Sequence, residues 1–438
     1  MRQPVHEPTT NAASSFPRVT AVMLLSGGGA FMALSTPLQL LLTLHLARIA
    51  GPSAAAAFGL VTGLGALCAL LANPLGGRLS DRTAARFGRR RSWILTGAVI
   101  GCLTLATMAF ATAVWQVALI WCVVQISLNF QQAATTALLA DQVPPARRGT
   151  VSGLLGMAAM VAPLLGIAVV SLIENPTLQW LFVAGAGLAL GLSAALLLRD
   201  PASRRPEGLA RLDLKGLATT FWLNPRRHPA FGWAWLVRFL ITCAYASATY
   251  TAFFLMGRFG YSEDDVAAQV LRLSAIMVVA LAAASVLSGI VSDRIQRQKP
   301  FVVAGGIMAA IGLTTMGLAP SMAFVYLAEG LLGAGFGLFI AIDAALCVRM
   351  LPHAEDTAKD LGLINVANSL PQSFVPFVAP ALLALGGFTA LYLSLALFGI
   401  LGAVLVRRLP DLGQEGDPRF AAITAPAVVP APVATTAE

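Results

Sequence analysis

Apolar stretches of about 20 residues, the length that crosses roughly 30 Å of hydrocarbon, recur along nearly the whole chain. They predict spans near 21–46, 54–77, 92–112, 114–138, 149–173 and 178–198, then near 231–257, 266–291, 300–318, 321–350, 357–385 and 387–408. Each span is read as a helix, because a segment in hydrocarbon must satisfy its own backbone hydrogen bonds. Twelve spans predict an all-α integral membrane fold of two six-helix bundles, 21–198 and 231–408, joined by a polar central segment, 199–230. Polar tails cover 1–20 and 409–438. Residues 1–20 hold no short apolar core followed by a cleavage site, so the first span is expected to be retained.

Composition agrees with this pattern. The 438 residues are 57% hydrophobic and 11% charged, with a mean hydropathy of +0.78. A soluble domain cannot hide that much apolar surface in its core. Cys68, Cys102, Cys122, Cys243 and Cys347 all lie in apolar runs without a CxxC pair, so they read as small apolar helix residues and no metal site is predicted.

The net charge of +9 first suggests an acidic partner. Its distribution gives a different reason. Of the 29 basic residues, all but Arg48, Arg258, Arg272 and Arg238 fall in the tails, the central segment or the even-numbered connections. By the positive-inside rule both termini are expected in the cytoplasm, with the protein in the inner (cytoplasmic) membrane. No nucleic-acid partner is needed. The expected partners are the lipid bilayer and a small-molecule substrate, and a monomer is expected. In the central segment Leu209, Leu212, Leu217 and Phe221 can form the apolar face of an interfacial helix. Residues 417–438, rich in Ala, Pro, Val and Thr, are expected to be disordered.

The halves repeat each other. Gly77, Asp81 and Arg82 after the second span recur as Gly289, Asp293 and Arg294 after the eighth, 212 residues later. Pro144 and Pro352 are 208 apart, Gly153 and Gly362 are 209 apart, and Pro163 and Pro371 are 208 apart. Both repeats begin on the same side, so the duplication is parallel, about an axis along the membrane normal.

Residues 76–91 read GGRLSDRTAARFGRRR. This run resembles the signature between helices two and three of the major facilitator superfamily, and the resemblance extends over about residues 20–408. Asp81 to Arg91 look most like the sucrose and glycoside–pentoside–hexuronide symporter branches, which often have Pro where this chain has Ser92. The resemblance implies a cytoplasmic latch holding the two halves together in one conformation. Its expected residues are Gly77, Asp81, Arg82, Arg86, Gly88 and Arg90, with Asp141 nearby and a shorter copy at Asp293 and Arg294. Gly76 and Gly77 should allow another helix to approach closely. Asp81 can take hydrogen bonds from helix N-termini or pair with Arg82 and Arg86. Simple topology control by the positive charge is the alternative role.

Ionisable and amide groups at membrane depth are costly and so mark candidate sites. In the fourth span Gln125, Asn129, Gln132 and Thr136 share one helical face. In the seventh, Arg238, Thr242, Tyr245 and Thr249 do so, and in the tenth, Glu329, Phe336 and Asp343. The eleventh offers Asn365, Asn368 and Gln372, and the first Thr36, Gln39 and Thr43. The resemblance implies a central cavity lined mainly by helices one, four, seven and ten, and the stripes pick those four plus eleven. The expected substrate contacts are Thr36, Gln39, Gln125, Asn129, Gln132, Thr242, Tyr245, Asn365, Asn368 and Gln372. Helix–helix adhesion is the competing use of such groups.

Arg238 and Asp343 fall at matched depth and are expected to pair, because either charge alone is expensive. Glu329 lies nearer the opposite face. Partly dry surroundings make a carboxylate's charge costly, which suits a group that loads and releases a proton. Asp343, Glu329 and Arg238 are therefore the proton-coupling candidates, and no cofactor beyond a proton gradient is expected. The leading expectation is proton-coupled symport of a sugar or glycoside. The alternatives are proton-antiport efflux of a drug or metabolite, and a membrane sensor or scaffold that no longer transports. No nucleophile–base constellation or phosphate-binding glycine loop suggests an enzyme.

Overall fold

The computed structural model describes residues 15–144, 147–202, 229–295, 299–349 and 357–409; within them the side chains of 230, 264, 293, 342–349, 357–366, 368, 369 and 373 stay outside the description. The central segment's proposed interfacial helix and the C-terminal tail lie beyond these residues, as do the side chains of Asp293, Asp343, Asn365 and Asn368.

The described residues are helical almost throughout. Helix α1 runs Phe16–Thr36, passes through a π turn at Pro37–Leu41 and continues as Leu42–Ala50. The turn starts at Pro37, whose ring nitrogen has no hydrogen to donate to the helical ladder. Then come α2 (Ala54–Arg82), α3 (Arg89–Thr107), α4 (Val114–Gln142), α5 (Arg148–Val170) and α6 (Pro176–Leu197). The second half has α7 (Pro229–Tyr245, a 3-10 segment Ala246–Tyr250, then Thr251–Phe259), α8 (Glu263–Ile295), α9 (Lys299–Gly317) and α10 (Met322–Arg349). The stretch Thr357–Leu405 breaks at Gly386 and Gly387 into α11 (357–385) and α12 (388–405). Gly387, at φ 63°, takes a backbone conformation open mainly to glycine.

Ten stretches are long and apolar enough to cross a membrane. Two of them, Phe16–Arg82 and Leu370–Arg408, each hold two helices, so the described residues form twelve spans in two six-helix bundles. Leu71, Leu119, Leu172, Val279, Val286 and Leu385 are all more than half exposed. Such a belt would be a liability in water and is the ordinary surface of a multi-pass membrane protein.

Contacts near the chain ends define one face of the molecule. Arg18 hydrogen-bonds the Leu197 carbonyl, the Arg147 guanidinium lies 4.5 Å from the Phe16 ring centre, and Lys299 donates to the Leu409 carbonyl. This basic face gathers the start of α1 and the ends of α6 and α12. At the opposite, far face Arg48 and Glu263 form an ion pair at 2.5 Å across the two halves. Exposed on both sides, it is worth at most ~1 kcal/mol.

The halves meet along α2 with α11 and along α5 with α8. The closest packing is toward the far face. The Phe58 ring lies edge-on to Tyr250 and Phe253 of the second half, each at 5.3 Å; within that half the Tyr250 hydroxyl donates to the Pro376 carbonyl at 3.2 Å. Gly59 sits so close to α11 that an added Cβ would lie 2.5 Å from the Pro376 carbonyl oxygen. Lipid supplies no hydrophobic drive between helices, so a missing side chain is what permits this approach.

Candidate functional site

Two contiguous chambers lie between the halves. The larger, about 560 Å³, runs from mid-depth toward the basic face. Its walls carry Ser35, Thr62, Asn73, Gln125, Asn129, Gln132, Thr136, Ser152 and Gln372, and no ionisable side chain lines it among the described residues. The smaller, about 220 Å³, lies nearer the far face and is lined by Gln39, Tyr245, Thr249, Ser274, Glu329, Phe336 and Gln372 among others. Ser35, Leu38, Ala159 and Gln372 border both.

Helix α4 shows how the first wall is built. Gln125, Asn129, Gln132 and Thr136 turn one face to the large chamber. Beside it, Gln131 turns away from the chamber to bind α1, and Thr135, at the chamber's edge, also bonds to α1. Gln131 Nε2 donates to the Ser26 carbonyl at 3.1 Å, and the Ser26 and Thr135 hydroxyls share a 2.6 Å hydrogen bond. The same residue types thus serve solvent-facing and packing roles one position apart. Asn129 Nδ2 donates to the Gln125 carbonyl and to Gln125 Oε1 at 2.7 and 3.1 Å. That leaves Gln125 Nε2 as a donor and Asn129 Oδ1 as an acceptor toward the chamber.

Several expected contacts are placed differently. Thr36 is fully buried, donates to the Pro163 carbonyl at 3.3 Å and packs against Gly166, so it joins α1 to α5 and does not line a chamber. Thr242 is also buried; its hydroxyl returns to the Arg238 carbonyl four residues back, at 2.8 Å. Tyr245 lines the small chamber by its ring, tilted against Phe336 at 4.6 Å, while its hydroxyl is occupied by the Gly305 carbonyl. Only the ring face of Tyr245 is left for a solute.

Glu329, on α10, is 4% exposed and faces the small chamber. It lies seven residues from the far end of α10, roughly 10 Å along the helix. Among the described residues no hydrogen bond or ion pair engages its carboxylate. Arg238 is half-buried on α7. Its expected partner, the Asp343 side chain, lies outside the described residues, as do Asn365 and Asn368. The polar stripes also missed the walls supplied by α2, α5 and α8 through Thr62, Asn73, Ala159, Ser274 and Met277. These walls are mostly small or apolar residues, which leave no polar stripe to read.

The loop before α3 is organised around Arg90, which is 3% exposed. Its guanidinium binds Ser80 and Asp81 at the end of α2 and Asp141 at the end of α4, the last at 2.8 Å. Arg89 adds a second bond to Asp141 at 3.0 Å. Two partners were not anticipated. One is Ser80. The other is Asp200, just past α6, whose Oδ2 accepts from the backbone N–H of Arg90 and of Arg91 at 2.7 and 3.0 Å. Gly88 begins α3 at φ 91° and has no side chain to cap it, and its Cα faces Asp200 directly. A helix start without a capping residue leaves N–H groups open to a partner from elsewhere in the chain, which here is Asp200.

These described contacts all lie within the first half, joining α2, α3, α4 and the end of α6. Among the described residues, these contacts brace one bundle internally. The partner shown for Asp81 is Arg90, from the far end of the loop. Among the described residues Gly77 meets nothing within 4 Å, and the close approach shown is at Gly76, whose added Cβ would lie 2.7 Å from Phe130. Arg86 and Arg294 are exposed on the basic face.

Asp200→Ala should remove the α3 cap and cost ~1–2 kcal/mol, read as a lower melting temperature of the detergent-purified protein. Asp200→Asn retains an acceptor and should recover most of the loss.

The family model described as Major Facilitator Superfamily matches residues 19–355 and 272–434. The chain belongs to the major facilitator superfamily. Members of this superfamily are transporters rather than enzymes, and the two-bundle architecture fits that class. Comparison with curated proteins finds no match. Among solved structures, the transporter is similar to a D-xylose–proton symporter at 18% identity and TM-score 0.68, covering 91% of this chain and 99% of that one. It is similar to a variant of the nucleoside transporter NupG at 14% identity and TM-score 0.71, covering 89% and 99%. A bacterial homologue of the human lysosomal transporter Spinster, inward-facing and occupied, gives 15% identity and TM-score 0.68, covering 90% and 97%. At these identities the likeness is one of fold.

Proposed function

We propose that this transporter moves a small polar solute, a sugar or glycoside, across the cytoplasmic membrane by alternating access coupled to protons. The observation that carries the reading is the division of the pathway. A chamber lined by amides and hydroxyls adjoins one where, among the described residues, Glu329 is the one buried carboxylate, with Gln372 in the wall of both. Amides donate and accept at once, which suits sugar hydroxyls. A carboxylate held in such a place can change charge during the cycle and link a proton to the solute. The loop sequence at 81–91, similar to sugar-symporter branches, and the fold shared with a D-xylose–proton symporter support the same reading.

With both tails in the cytoplasm, as the basic residues argue, the far face is the outer one. In this reading the packed far face would close the pathway to the outside, and the amide-lined chamber would be directed toward the cytoplasm. Asp81, Arg90, Asp141 and Asp200 would hold the inner ends of the first bundle rigid while the bundles rock. Asp343 and Arg238 remain candidate partners in coupling beside Glu329.

A second reading, efflux by proton antiport, is favoured by one feature. A buried carboxylate with no described partner can attract an organic cation as well as a proton. Uptake of radiolabelled sugars into proteoliposomes, with and without an imposed pH gradient, separates the two. Symport predicts accumulation only when the proton gradient points the same way as the sugar. An organic cation driven against an opposite proton gradient would favour the second reading. Indifference to the gradient in both assays would remove proton coupling altogether.

A further inference from the structure

The lipid-facing side of the second half carries a groove of about 510 Å³ between α9 and α12, remote from both chambers. Its floor is Ala310 and Ala403, both buried. The helices are close here because Gly306 and Gly399 face each other; a Cβ on either would lie 2.9 Å from the other's carbonyl oxygen. Its walls are Ile307 and Ile311 on α9 and Ile400 and Val404 on α12, each 46–51% exposed. Small residues below and branched residues on either side make a trough of roughly one chain's width.

The trough has a length and a polarity. On α9 its lining runs from Val303 to Thr314, a rise of about 17 Å. One leaflet of hydrocarbon is about 15 Å deep. At its end toward the far face the hydroxyls of Thr314 and Thr315 are already given to the carbonyls of Ala310 and Ile311, so that end presents nothing unsatisfied. At the basic-face end the trough finishes at Arg407, in the 3-10 turn Val406–Arg408 that follows α12. Arg407 is exposed, and among the described residues no carboxylate pairs with it. A second crevice, between α2 and α11 at Leu64, Leu67 and Phe377, has no charged residue to choose a headgroup.

We propose that the α9–α12 groove holds one anionic phospholipid from the leaflet at the basic face. One acyl chain lies along Ile307, Ile311, Ile400 and Val404, and the phosphate accepts hydrogen bonds from Arg407. The Arg407 cation placed at headgroup depth, above an apolar trough of one leaflet's length, complements that molecule in charge and in shape. A free phosphate would use the cation and leave the trough empty.

Native mass spectrometry of the full-length protein, released from mild detergent, tests this. Dioleoyl phosphatidylglycerol and dioleoyl phosphatidylcholine are titrated separately. One phosphatidylglycerol should bind in preference to phosphatidylcholine. Arg407→Gln should weaken phosphatidylglycerol about fivefold, the worth of one basic side chain near an anionic surface, and leave phosphatidylcholine unchanged. Arg18→Gln, a cation on the same face of the other half, should alter neither. Dihexanoyl phosphatidylglycerol, with the headgroup but short chains, should bind at least about tenfold more weakly. Ile400→Trp, at an exposed wall position, should fill the trough and weaken both long-chain lipids. Unchanged phosphatidylglycerol binding in Arg407→Gln, or an equal loss in Arg18→Gln, would overturn the site in favour of diffuse surface charge. Equal binding of the short-chain lipid, or no effect of Ile400→Trp, would overturn the trough as its seat.

Discussion

Glu329→Gln should abolish solute accumulation driven by a pH gradient while leaving solute exchange at equal pH largely intact. Glutamine keeps the shape and polarity of the carboxyl group but has no proton to load. Exchange needs only the solute site and the rocking motion. The amide chamber that serves the solute is lined by other residues. Stability should change by less than ~1 kcal/mol, because a neutral isostere replaces a buried group that has no described partner to leave behind. Exchange and gradient-driven uptake, measured on the same proteoliposomes, give the comparison. Full accumulation by Glu329→Gln would exclude Glu329 as the coupling group, and Asp343→Asn would then be the decisive variant. If neither substitution affects accumulation, another ion or facilitated diffusion is the better mechanism.

Gly59→Leu should hold the transporter open at the far face and cut net transport sharply. Any side chain there meets the Pro376 carbonyl oxygen and the Pro380 ring, both on α11 of the other half. The clash therefore penalises closure between the halves, not the fold of either. Overpacking of this kind costs roughly 1–3 kcal/mol, which shifts a two-state balance by about 5–150-fold. Gly63→Ala, one turn along α2 with its nearest neighbour at 3.9 Å, should transport normally. A cysteine placed by Ser274→Cys, in a background free of the native cysteines, reports the state. In Gly59→Leu it should become reactive to an impermeant thiol reagent added at the far face. If access and transport match those of the unsubstituted glycine, far-face closure does not depend on this contact.

Both variants rest on positions that the sequence treats unequally. Glu329 stands out in one dimension, since an acid within an apolar span is costly wherever it points. Gly59 does not, because one glycine among many in apolar helices says nothing about which neighbour it meets. The same contrast runs through the loop. The run 76–91 announces itself by its charges, but Asp200 is 110 residues from Arg90, and nothing local ties them.

The number of helices, their parallel duplication and the superfamily were legible in the chain because they depend on local quantities: apolar length, charge at helix ends and a short motif. Polar periodicity along α4 also identified a face, since helical geometry fixes which side chains share one. Whether a polar residue faces a chamber or a neighbouring helix was not legible. Thr36 and Gln39 lie three residues apart on α1, yet Thr36 is spent on α5 and Gln39 lines the small chamber. That choice depends on which helix lies beside each turn and at what distance, and so on the packing of all twelve. The far-face closure and the α9–α12 trough were decided the same way, by small residues meeting across chain separations that no local pattern encodes.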